Sequence, residues 1–102
     1  MVPVAGDRRA ADALLHLGPS TVMVEAITRL ADVQAQVRAI LLKGRDLSVE
    51  RIVLVVAATH ANRRVLRMAG DVMASTFPLS TKQTVQALAQ GVEPAGNGVV
   101  LL

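Results

Sequence analysis

Two carboxylates, Asp12 and Glu25, are the residues of this chain whose types and spacing could do chemistry. Each sits at an end of a short apolar run, residues 11–17 and 20–27, and Gly18-Pro19 between the runs favours a tight turn. If Leu17 faces Ser20 across that hairpin, Asp12 faces Glu25 on the same side of the sheet, because strand side chains alternate faces. Two acids so placed offer the hard oxygen ligands that Mg²⁺ takes. A structural or solvated carboxylate pair is the plainer expectation for the same residues.

A second group lies further along. The segment Thr59-His60-Ala61-Asn62-Arg63-Arg64 puts hydroxyl, amide and guanidinium donors beside an expected helix start. Thr59, His60, Asn62 and Arg63 are therefore candidate ligands for an anion such as phosphate. The alternative is a helix cap with a solvated basic face. His16 in the first strand and His60 have no serine or carboxylate arranged with them as a triad. There is no glycine-rich phosphate loop.

The elements that must position these residues follow from periodicity. Thr28 is expected to cap a helix whose apolar positions Leu30, Val33, Val37, Ile40 and Leu41 repeat every 3.6 residues, with Gly44 as its stop. Residues 52–58 form an uncharged run, which predicts a strand buried on both faces and parallel to its βαβ partner. A second helix starts at Thr59 or Asn62, with Val65, Met68, Ala69 and Val72 inward and Arg63, Arg64 and Arg67 largely outward. Ser80 and Gln83 make a capping box for a third helix ending at Gly91, with Val85, Leu88 and Ala89 inward. Residues 99–102 form a last strand, expected inside the sheet, and residues 2–4 a possible edge strand. Residues 1–102 thus read as one α/β domain, bordering on α+β, with a mixed sheet built from an N-terminal hairpin and a βαβ core.

Composition narrows the function classes. One hundred and two residues at 52% hydrophobic content make a single domain with an ample core. Phe77 is the only aromatic, so recognition of nucleic acid by base stacking has no platform. Mean hydropathy of +0.45 is high for a small domain. Some apolar surface is therefore expected to pack on another copy, giving a homo-oligomer, most simply a dimer. The net charge of +3 is dispersed and reads as an ordinary solvated surface, with weak salt-sensitive nucleic-acid binding as the alternative. The absence of cysteine excludes disulfides and thiolate metal sites. No apolar run has the length of a membrane span, and Asp7, Arg8, Arg9 and Asp12 stand where a signal peptide needs an apolar core. A cytoplasmic protein without a membrane partner is expected.

The strings EAITRLADVQAQVRAILLKGRD, RIVLVVAATHANRRVLR and FPLSTKQTVQALAQGVEPAGNGVVLL, with PVAGDRRAADALL near the start, resemble the C-terminal half of bacterial Xre-type helix-turn-helix regulators. The resemblance spans nearly the whole chain and implies a restriction-endonuclease-like, PD-(D/E)XK, layout. No residues here correspond to the helix-turn-helix. The family tends to carry a second acid two positions after the first glutamate and an aromatic before the aspartate, where this chain has Ile27 and Ala11. An active nuclease of that fold also needs a lysine near the acids to orient water. Ile27 occupies that place. Lys43 is expected on the order of 20 Å from the helix start, too far to replace it, and Arg29, though nearer, can act only electrostatically. The resemblance implies a non-enzymatic regulatory and oligomerisation module, with no cofactor and with a DNA-binding protein as a possible partner. The alternatives are a degenerate Mg²⁺-dependent nuclease using Asp12 and Glu25, or a toxin-antitoxin component.

Overall fold

Strand alternation and the Gly-Pro turn produce the hairpin in the expected register. The computed structural model describes residues 11–102, so the edge strand considered at residues 2–4 lies outside them. Strands β1 (Ala13–Leu17) and β2 (Ser20–Ile27) pair antiparallel from Leu17↔Ser20 to Ala13↔Val24. Gly18 turns the chain at φ 61, a left-handed backbone that glycine adopts without a Cβ penalty. Helix α1 (Val33–Asp46) then leads to β3 (Arg51–Val56), which is parallel to β2. Helices α2 (His60–Met68), α3 (Gly70–Thr76) and α4 (Thr81–Ala89) connect β3 to β4 (Gly98–Leu101), parallel to β3. The result is an α/β fold on one mixed sheet of order β1-β2-β3-β4.

Among the described residues, that order places the last strand at an edge, whereas the sequence predicts it inside the sheet. Leu79 and Thr81, the first residue of α4, seal it. Val99 N–H donates to Leu79 O at 3.3 Å. The Thr81 hydroxyl donates to Val99 O and accepts from Leu101 N–H, each at 3.1 Å, so it stands in for a strand residue. An edge whose backbone groups are already paired is a poor template for another strand.

Alternation sorts the core into two layers. On one face Met23, Leu54 and Val56 meet Val33, Val37 and Ile40 of α1, Met73 of α3, and Phe77. On the other, Val22, Val53 and Val100 pack with Leu15, Leu17 and Leu88. Three helices thus cover the first face, and α4 is the described helix on the second. Met23 and Leu54 are almost wholly buried, which stabilises the fold by roughly 2–3 kcal/mol for each such side chain.

Several boundaries differ from the sequence expectation for physical reasons. Asp32, not Thr28, caps α1, its carboxylate accepting from Ala35 N–H at 3.1 Å. Gly44 does not stop the helix. It is buried inside it, because a Cβ there would come within 2.8 Å of Ile52 Cδ1 on the strand beneath. The α2–α3 axis breaks at Ala69, which leaves Met68 82% exposed while Met73 is core. The Ser80–Gln83 capping box forms as read, yet Thr84 takes the inward position of α4 and Val85 is exposed. Among the described residues no helix is long and apolar enough to cross a membrane.

Candidate functional site

Asp12 and Glu25 meet as the hairpin register requires. The Asp12 N–H donates to Glu25 Oε2 at 3.0 Å, and Asp12 Oδ2 accepts from Ala26 N–H at 2.8 Å. Each carboxylate therefore receives a main-chain hydrogen bond from across the hairpin, just beyond the end of the β1–β2 ladder at Ala13↔Val24. Asp12 stays exposed, whereas Glu25 is only 4% exposed. Glu25 shares its sheet face with Met23 and Ile27, so it points under α1. There the ammonium of Lys43 is paired with Glu25 Oε1.

Lys43 is the main departure from the sequence expectation. Reckoning its distance along the helix treated α1 as leading away from the carboxylates, but a βαβ crossover returns over the strand it leaves. From Val33, Lys43 lies about 15 Å back along α1. That return, together with the length of the side chain, brings the ammonium over Glu25. Its phase could have signalled this. Lys43 follows the buried Ile40 by three residues and precedes the buried Gly44 by one, so it flanks the inward stripe of α1 instead of opposing it. A depression of about 260 Å³ opens beside the pair, with Asp12, Glu25, Ile27, Gln36 and Lys43 among its lining residues.

The fit of a divalent cation can be read from these contacts. Mg²⁺ needs near-octahedral oxygen coordination from groups able to turn towards it. Of the Glu25 oxygens, one holds an ammonium and the other a backbone amide. A metal would have to displace Lys43, which already supplies the counter-charge. No group of three or more His, Asp or Glu converges as a metal site among the described residues. The arrangement does not fit Mg²⁺ as it stands.

The second candidate group is divided by its geometry. Thr59 caps α2, its hydroxyl accepting from Asn62 N–H at 3.1 Å. Asn62 is 1% exposed and committed to the main chain. Its Oδ1 accepts from Leu30 N–H at 2.9 Å, and its Nδ2 donates to Thr28 O and Ala57 O, both at 2.9 Å. Both amide hydrogens are spent, so Asn62 is a clamp between the loops that follow β2 and β3, with no donor to offer an anion. His60 and Arg63 are exposed at the start of α2. Among the described residues, His16 meets Thr21, at 3.3 Å from Nδ1 to Oγ1.

No protein-family model, curated protein or solved structure matches the chain. Assignment therefore rests on geometry. Of the residues singled out from sequence, the fold joins Asp12 to Glu25 and Thr59 to Asn62, and it adds Lys43 to the first pair.

Proposed function

We propose that this domain is a non-enzymatic regulatory and oligomerisation module, resembling the domain that follows the helix-turn-helix in Xre-type regulators and working in the cytoplasm beside a DNA-binding partner. The observation that carries the non-enzymatic half is the state of Glu25: a buried carboxylate with one oxygen on Lys43 and the other on the Asp12 amide. A catalytic acid that must bind metal or water keeps lone pairs turned to the substrate side. Each Glu25 oxygen already has a partner within the fold, and the side chain is only 4% exposed. The restriction-endonuclease-like topology belongs to the same proposal, supported by a hairpin leading into a βαβ unit, with Asp12 just before β1 hydrogen-bonded to Glu25 in β2.

One observation favours a second reading, a metal-dependent nuclease. Lys43 returns to the carboxylate pair the cationic group that Ile27 withholds. The two readings separate in calorimetric titration of Mg²⁺ and Mn²⁺ into the wild type and Glu25→Gln, run beside plasmid DNA incubated with excess protein. The module predicts no saturable metal uptake at millimolar concentration and no nicking. Uptake lost in Glu25→Gln, together with cleavage of the plasmid, would establish the nuclease instead.

A further inference from the structure

Helix α2 carries an excess of positive charge equal to the formal +3 of the whole chain. Of eleven Lys and Arg, three lie in α2 with no acid among its nine residues, and the remaining eight are balanced by eight Asp and Glu. At about 100° per residue, Arg63, Arg67, His60 and Arg64 fall in order within roughly a third of the helix circumference. All four are exposed. The opposite arc, with Asn62, Val65 and Leu66, is turned to the sheet and its loops. Among the described residues no carboxylate pairs with these arginines, the one ion pair being Lys43 with Glu25.

We infer that this arc is a docking surface for the phosphodiester backbone of duplex nucleic acid. Guanidinium groups match phosphate oxygens with two parallel hydrogen bonds, which a lysine cannot do. Arg63 and Arg67 are one helical turn apart, with Cβ atoms about 6 Å from each other, so the two side chains can reach successive phosphates along a strand. Single strands are a poorer match: they are held by stacking on aromatic platforms, and the sole aromatic, Phe77, is buried in the core. An anionic membrane is poorer too, since an interfacial helix inserts its apolar face and that of α2 is already used against the sheet. Binding through this arc is independent of sequence and of the Asp12–Glu25 pair.

The test is fluorescence anisotropy with a labelled mixed-sequence duplex of twenty base pairs, from 50 to 200 mM salt. Arg63→Gln/Arg64→Gln/Arg67→Gln should weaken binding at 50 mM at least tenfold. The slope of log affinity against log salt should flatten by about 2–3, since each phosphate contact contributes close to 0.9. Arg38→Gln/Arg45→Gln/Lys82→Gln removes the same charge from exposed positions elsewhere and should retain most of the affinity. Should the α2 triple variant lose its circular dichroism, the three single variants decide, each flattening the slope by about 0.9. Equal losses in both triple variants would reduce the effect to net charge and overturn the inference. So would the absence of binding at 50 mM, or binding to phosphatidylserine vesicles without binding to duplex.

Discussion

Glu25 carries its charge in a place where water scarcely reaches. A buried carboxylate is tolerated only when it is both paired and hydrogen-bonded, and Lys43 and the Asp12 amide meet the two conditions. Lys43→Met keeps the alkyl stem and removes only the charge, leaving an unpaired acid under α1. Its cost in urea unfolding should be about 3 kcal/mol, at the lower end for broken buried pairs because the lysine keeps 22% of its side-chain surface exposed. Lys43→Met/Glu25→Gln should be clearly more stable than Lys43→Met alone, since a glutamine still accepts from Asp12 N–H without a stranded charge. Strictly additive losses in the cycle would show that the two side chains are not coupled. The meeting of Asp12 with Glu25 was legible in sequence because a two-residue alternation and a Gly-Pro turn leave one sensible register. Lys43 was legible only as a residue flanking the inward stripe of α1, because its meeting with Glu25 depends on a helix folding back. Asn62 was misleading for a related reason: an amide beside a helix start reads as a ligand until the parallel pairing of β2 with β3 brings two loops within its reach.

At the scale of elements, the contact of α4 with β4 shows how a small residue sets a packing distance. A Cβ on Gly98 would collide with Thr84 Oγ1 and approach Leu79 Cβ and Thr84 Cβ to 3.2 Å, so the helix lies as close as a glycine allows. The Thr84 hydroxyl is completely buried there with no hydrogen-bond partner among the described residues. Gly98→Ala should therefore destabilise by about 3 kcal/mol, in the range of an overpacked core. Thr84→Ala should cost less than about 1 kcal/mol, because it removes an unsatisfied hydroxyl along with some contact area. Combined, Thr84→Ala should restore most of what Gly98→Ala loses, as read by thermal unfolding. A double variant no more stable than Gly98→Ala would mean that β4, not the side chain above it, resists the methyl group. The capping box that starts α4 was readable from Ser80 and Gln83, because both partners are local. The edge position of β4 was not, since an uncharged strand looks the same whether another strand or the Leu79 carbonyl and Thr81 hydroxyl cover its far side.

At the scale of the whole molecule, the two faces of the sheet are unequally dressed. Helices α1 to α3 cover one face, while on the other Val24 and Val55 remain half-buried and Ala13 and Ala26 exposed beyond the reach of α4. The α1 surface adds Leu41 and Leu42, 39% and 45% exposed, side by side on a helix whose other outward positions are mostly polar. With mean hydropathy at +0.45, these exposures support association of the domain with a second copy. Leu41 and Leu42 can be changed without opening the core. Sedimentation velocity of the wild type at micromolar concentration should show dimers, and Leu41→Glu/Leu42→Glu should return the protein to monomer with its unfolding midpoint nearly unchanged. A wild type that sediments only as monomer at that concentration removes the oligomeric half of the proposal and leaves the reading of Glu25 standing. A double variant that still dimerises moves the interface to the thinly covered sheet face, where Ala26→Arg, on an exposed position, would be the next substitution to break it.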